Sequence, residues 1–274
     1  MILLRLAGGL GNQIFQLSAA LLFAKKMEVK EISIDISGLD KYEAKHKNEL
    51  VYFFNFNDID VTYTRNKIID FRIPKIFPLK FPKYPFVSDK NFQYALKHPN
   101  HKLIILDGYF QDCLSQEDYD DEIKILKEIF LPSKYEKDEE GCIIHIRGGD
   151  FVKLGWNVIS PKEYYINSIE IMKNEYQRNK FKVVTDDKNY AKTILDELNI
   201  DYEFIGNSIY EDFYLIGSFR YRILSSSTFS MWASALGNND DSIVISPSYW
   251  TPNNFRKIFV PNEKRISFGM SFQY

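Results

Sequence analysis

What most constrains this chain is a repeat of short apolar runs, each closed by a polar cluster and followed by a segment of helical period. In the second half Cys142 to Ile144 leads into His-Ile-Arg-Gly-Gly-Asp, Phe181 to Val184 into Thr185-Asp186-Asp187, and Tyr221 to Leu224 into Ser225-Ser226-Ser227-Thr228-Phe229. Segments of helical period lie over 191–198, 209–218 and 230–236, and a last apolar run spans Ile243 to Ile245. The first half opens in the same way: Ile2 to Leu6, a glycine turn, a helix starting at Asn12, then Ile32 to Ile36. Runs this short and this uniformly apolar read as strands buried on both faces, and a helix between two of them has the length of a parallel crossover. The expected fold class is therefore α/β with parallel sheets.

A chain of 274 residues has room for two such units. The charged stretch SKYEKDEE, residues 133–140, is the best boundary, placing the junction near residue 135 and giving halves of 1–135 and 136–274. A hydrophobic share of 45% with 26% charged residues describes a globular chain, not a disordered one. The formal charge of −2 excludes a general nucleic-acid binder. Two distant cysteines exclude a disulfide scaffold or thiolate metal site and point to a reducing, cytoplasmic setting. MILLRLAGGLGNQ reads as a strand and turn and not as a leader, and no run of eighteen apolar residues is present to span a membrane. One region stands apart. Val61 to Leu103 holds five of the ten prolines, eight aromatics, nine Lys and Arg and two acids, a net +7 that leaves −9 on the rest of the chain. It is either a proline-stiffened solvated surface or a basic, aromatic patch for an acceptor or a membrane face.

The polar clusters carry the chemistry. In His145-Ile146-Arg147-Gly148-Gly149-Asp150 an always-charged guanidinium sits at a strand end, where α/β sheets bind ligands, and suits a phosphate. The alternative is an Arg147–Asp150 ion pair closing the Gly-Gly turn. The turn GGLGNQ is not the dinucleotide fingerprint, since Ile14 stands where a third glycine is needed, and this disfavours a Rossmann oxidoreductase. Gly9 and Gly11 with the amides of Asn12 and Gln13 at a helix N-terminus could bind a phosphate or sugar; a tight turn alone would explain the glycines. Asp186 could cap a helix or accept the N1–H and N2–H of guanine, Ser226, Ser227 and Thr228 could cap or bind phosphate, and Phe229 could pack on a base or ribose. Ser160, Pro161 and Glu163 read as a capping-box helix start. No general base stands out; Asp107 and Asp150 are the candidates.

GGLGNQIFQLSAA, LDGYFQD, HIRGGD, PKEYY, VVTDD and SSSTFSMWASALGN, in this order across nearly the whole chain, resemble glycosyltransferase family 11, the α-1,2-fucosyltransferases and related bacterial enzymes. The resemblance implies a GT-B-like architecture of two Rossmann-type domains facing a cleft, with the acceptor side in 1–135 and the GDP-sugar in 136–274. It implies transfer of fucose or a related 6-deoxyhexose with inversion to a glycan hydroxyl, a GDP-sugar as donor substrate, no cofactor and no required metal. Arg147 matches the arginine on the donor β-phosphate; Asn12 matches an asparagine near the pyrophosphate and reacting centre, and these two are the expected catalytic residues. His145 and Asp186 match positions of GDP recognition, and Ser227, Thr228 and Phe229 match the phosphate and nucleoside loop. Two positions depart: the family usually reads HIRRGD where this chain has Gly148, and has Asn where this chain has Ser226. The setting implied is bacterial O-antigen or capsule synthesis on an acceptor that is lipid-linked, at the inner face of the plasma membrane. The alternatives are a catalytically weak sugar-nucleotide-binding protein, or a transferase using another donor such as GDP-colitose.

Overall fold

The apolar runs at the N-terminus form neighbouring parallel strands. In a computed structural model that describes residues 1–39, 46–65, 86–99, 102–156, 160–237 and 241–266, β1 (Ile2–Arg5) is followed by α1 (Leu10–Met27) and β2 (Glu31–Asp35), with Ile2 beside Ile32 and Arg5 beside Asp35. From Leu10 to Ala24 every residue of α1 is buried except Asn12. Such a helix is held by packing on all sides, and its one polar opening is at the glycine turn. Lys25 and Lys26 lie in its last turn, and Glu28 closes it in the left-handed conformation.

The remaining elements of the first unit are β3 (Asp60–Thr64), β4 (Phe86–Val87), α2 (Phe92–Lys97), β5 (Ile104–Leu106) and α3 (Gln116–Ile129). The sheet order is β3-β2-β1-β5-β4, parallel throughout. The chain leaves β1 towards β2 and reaches β5 from β4, so its direction reverses between β1 and β5. Loops at the carboxyl ends of those two strands flank the crevice where α/β sheets bind ligands. Elements β3, β4 and α2 were not foreseen; they lie in the basic stretch 61–103, of which residues 66–85 and 100–101, with Lys75, Lys80 and Lys83, fall outside the described residues.

In the second unit β6 (Asp138–Ile146) is followed by α4 (Gly149–Lys153), α5 (Lys162–Asn174), β7 (Lys180–Thr185), α6 (Lys188–Leu195), β8 (Asp201–Phe204), α7 (Ile209–Ser218), β9 (Phe219–Ile223), α8 (Thr228–Gly237) and β10 (Ile243–Pro247). The chain then adds β11 (Tyr249–Thr251), β12 (Asn254–Phe255) and β13 (Glu263–Ile266). Its six-stranded sheet runs β13-β10-β9-β6-β7-β8, again parallel, and its direction reverses between β6 and β9. The contacts divide the chain into Met1–Leu131 and Pro132–Tyr274.

Two features fix the frame of the second sheet. Helices α7 and α8 touch at paired glycines: a Cβ on Gly237 would lie 2.4 Å from Gly217 O and 2.5 Å from its Cα. Buried Arg222 then donates to Gly217 O at 2.7 Å, Ser234 O at 2.8 Å and Gly237 O at 3.1 Å, placing a cation at the carbonyl ends of both helices. At the sheet edge buried Glu263 binds Arg256 and Arg265, tying β13 and the β11–β12 hairpin to β10.

Candidate active site

The crevice of the second unit gathers the polar clusters. Beyond β6, Arg147 extends its guanidinium between two carboxylates, Nη2 at 2.8 Å from Asp150 Oδ1 and Nη1 at 2.8 Å from Asp186 Oδ2. The other Asp186 oxygen accepts the Gly148 N–H at 2.8 Å, which joins the turn after β6 to the end of β7. Asp187 serves as the N-cap of α6, accepting the Tyr190 N–H at 3.0 Å. The Asp186-Asp187 pair thus divides its work: one caps a helix and the other holds the guanidinium.

Gly148 and Gly149 are needed for that docking. A Cβ on Gly148 would stand 2.7 Å from Asp187 Cβ and 3.0 Å from the Tyr190 ring, and one on Gly149, at φ +37°, would stand 2.6 Å from Asp186 Oδ2. A second arginine in place of Gly148 would therefore push against the start of α6.

His145 is 4% exposed, with Nδ1 at 2.8 Å from Ser225 Oγ, so it ties the end of β6 to the turn after β9. Burial, and then the charge of Arg147, lower its pKa to about 3 and hold the imidazole neutral. Its ring lies 5.9 Å from that of Phe229, which packs edge-on against Phe213 at 5.4 Å.

The serine run divides as well. Ser226 places its hydroxyl against Tyr249 O and Trp250 O and donates its N–H to Ser160 Oγ at 3.2 Å, so its side chain is engaged within the second unit. The Ser160 hydroxyl is thereby drawn away from the capping box expected with Glu163, and Pro161 stands at the N-cap of α5. Ser227 closes the tight turn, donating its N–H to Ser225 O at 2.8 Å. Thr228 and Phe229 begin α8 at the partly open end of the run.

A carboxyl missed in the sequence joins this group. Asp212, in the first turn of α7, lies so close to Gly206, at φ +76°, that a Cβ there would meet its Oδ1 at 2.0 Å. Burial raises its pKa to about 7; the charges of Glu211 and Asp186 add to the rise and Lys188 opposes it. In the sequence Glu211-Asp212 after Ser208 looks like ordinary acid at a helix start, which hid it.

The first unit forms a second polar edge. Gly8, at φ +77°, makes the turn after β1, and a Cβ there would meet Asn12 Nδ2 at 2.8 Å and the Tyr109 ring at 3.4 Å. Gln13 is fully buried: Nε2 donates to Gly8 O at 3.0 Å and Lys47 O at 2.9 Å, and Oε1 accepts the Glu49 N–H at 3.3 Å. It clamps the turn to residues 47–49, so its side-chain amide is engaged within the first unit. Gly11 is buried within α1, whereas Gly9 and Asn12 are partly exposed. Asp107 is held by Arg5 at 2.7 Å. Among the described residues no group of three or more His, Cys, Asp or Glu could hold a metal ion, and no helix is long and apolar enough to cross a membrane.

Comparison with known proteins adds the lineage. The chain is 27% identical over 272 residues to an alpha-1,2-colitosyltransferase of Escherichia coli, covering 90% of this chain and 91% of that protein. It is 24% identical over 290 residues to the O-antigen biosynthesis glycosyltransferase WbnK of Escherichia coli, covering 91% and 94%. Among solved structures it superposes on the fucosyltransferase NodZ from Bradyrhizobium with a TM-score of 0.53 and 17% identity, over 86% of this chain and 92% of that one. A crystal of NodZ alpha-1,6-fucosyltransferase grown with GDP superposes with the same TM-score of 0.53. The shared fold is GT-B-like, two Rossmann-type α/β units. Residues 1–267 match glycosyl transferase family 11, and the chain is a glycosyltransferase belonging to that family.

Proposed function

We propose that the protein transfers fucose, or a closely related 6-deoxyhexose, from a GDP-sugar to a hydroxyl of a bacterial surface glycan, with inversion at the anomeric carbon. The observation that carries this reading is Arg147, a cation fixed by Asp150 and Asp186 at the crevice of the second unit. As the C1–O bond breaks, negative charge builds on the leaving diphosphate. A guanidinium already fixed in place neutralises it without reorganisation. Asp150 is the more exposed of its two partners, and it yields to the phosphate while Asp186, tied also to Gly148, keeps the turn in place. The start of α8, with Thr228, offers backbone N–H groups to the same diphosphate. Phe229 packs on the nucleoside. Since both Asp186 oxygens are occupied, Asp212 accepts the N1–H and N2–H of guanine. In the first unit Gly9 and Asn12, partly exposed at the glycine turn, are assigned to the sugar acceptor.

A second donor is favoured by one specific finding, the similarity to a colitosyltransferase. Incubation with GDP-fucose, GDP-colitose and other GDP-sugars over a panel of glycan acceptors, read by product mass and linkage, decides between them; GDP binding without transfer from any donor overturns the transferase reading. The diphosphate charge is assigned to Arg147, so turnover persists in EDTA; its loss there, restored by added Mg²⁺, refutes metal independence. Contact with anionic lipid is assigned to the basic stretch 61–103. Neutralising Lys75, Lys80 and Lys83 then reduces binding to anionic vesicles, and unchanged binding removes that assignment.

A further inference from the structure

Arg147 is gripped by two carboxylates that are held in very different ways. Asp186, at the turn after β7, receives Arg147 Nη1 on one oxygen and the Gly148 N–H on the other, each at 2.8 Å. It therefore fixes the backbone of the neighbouring turn as well as the guanidinium. Asp150 receives Arg147 Nη2 at 2.8 Å, on a side chain that is 58% exposed against 30% for that of Asp186. It stands in the first turn of α4, a helix of five residues of which none is buried.

Turning the Asp150 side chain away therefore breaks one exposed ion pair and disturbs no core packing. Arg147 keeps its place when this happens. The pair with Asp186 remains, and the guanidinium carbon lies 5.6 Å from the centre of the Phe151 ring, which is itself set edge-on to Trp156 at 5.5 Å. An exposed ion pair is weak in water, so an incoming anion of higher charge can displace it.

Building on the donor reading above, we infer that Asp150 competes with the diphosphate for Arg147 Nη2, so that it weakens nucleotide binding and hastens the departure of GDP after transfer. A carboxylate and a phosphate offer the guanidinium fork the same kind of anionic oxygen. Binding of the diphosphate first displaces Asp150, and the apparent affinity falls with the fraction of molecules in which the pair is made. As the phosphate lets go, Asp150 recaptures Nη2. A cation that draws off the leaving group would otherwise retain the product, and product release sets the rate of many enzymes. Asp186 is unsuited to this part, because its displacement also strands the Gly148 N–H.

The test measures GDP affinity, GDP dissociation rate and unfolding midpoint in the wild type, Asp150→Asn, Arg147→Ala and the double variant. Asparagine keeps the size of the side chain and removes its charge. Asp150→Asn is expected to bind GDP roughly twofold to fivefold more tightly and to release it more slowly, with the midpoint unchanged. A merely structural role predicts the reverse, since a loosened site binds more weakly. In Arg147→Ala GDP binds more weakly, and adding Asp150→Asn gives no gain, because no guanidinium is left to compete for. Affinity unchanged or weakened in Asp150→Asn overturns the inference while leaving the donor reading intact. So does an equal gain in the Arg147→Ala background, which would mean simple repulsion between Asp150 and the phosphates. An Arg147→Ala variant that binds GDP as the wild type does overturns the donor reading and this inference with it.

Discussion

Arg147 carries the charge of the site, but Gly148 decides how it is held. With no side chain at Gly148, the Asp186-Asp187 turn comes close enough for one carboxylate to grip both the guanidinium and the Gly148 N–H. Gly148→Arg restores the residue usual in the family, yet it is expected to lower stability by about 1–3 kcal/mol, as overpacking does, and to weaken GDP binding; a calorimetric scan with and without GDP measures both. Asp212 gives a pH signature. Guanine's paired N–H donors require the carboxylate, and in the free protein that group holds its proton up to about pH 7. GDP affinity should therefore rise as pH increases through about 7 and level off above it, with proton release on binding, and Asp212→Asn should flatten the profile. A profile unchanged in Asp212→Asn removes Asp212 from the base site. At this scale the sequence marked the strand-end residues that the structure gathers in the second unit, Arg147 and Asp186 among them. It could not show the internal hydrogen bonds of Gln13, His145 and Ser226, because a motif does not tell whether a polar atom spends its hydrogen bonds outward or inward.

The strands that carry the site could be read from their uniform apolar runs, and α7 from its period. Boundaries shifted where a polar surface hid the period. The helical period of α3 is visible only from Ile123 on, yet the helix begins at Gln116, because the acidic QEDYDDE forms its first turns behind a capping box of Ser115 and Asp118. The strands beyond Ile245 were missed: Glu263-Lys264-Arg265-Ile266 looks polar, yet Glu263 becomes an interior anchor through its two arginines. Burial works against the Glu263 carboxylate, but Arg256 and Arg265 outweigh it and hold its pKa below the usual range. Arg222 shows how helix ends are tied together. Replacing it by Leu strands the carbonyls of Gly217, Ser234 and Gly237, and the expected loss of stability is about 3 kcal/mol. Chemical denaturation tests this, and a loss well under 1 kcal/mol would mean water replaces the guanidinium without cost.

For the whole molecule, one buried carboxyl couples folding to pH. Glu122 on α3 is fully buried, with both oxygens lacking a hydrogen-bond partner among the described residues, and burial pushes its carboxyl well above the usual range. A raised carboxyl means that the folded state keeps a proton the unfolded chain gives up above about pH 4.5. Stability from this source is greatest below that pH and declines as pH rises towards the shifted value. Glu122→Gln should raise the unfolding midpoint more at pH 8 than at pH 5; an equal change at both would mean Glu122 is not the source. The division into two parallel α/β units was foreseeable from the repeated strand-then-helix order, while β4 and α2, set among prolines and basic residues, gave no such signal. The central claim is that a glycosyltransferase of this family drives departure of GDP with the guanidinium of Arg147. Its most direct test is the transfer rate of Arg147→Ala with a GDP-sugar that the wild type uses. The account predicts a folded protein slowed by roughly a hundredfold or more; turnover near the wild-type rate would contradict it.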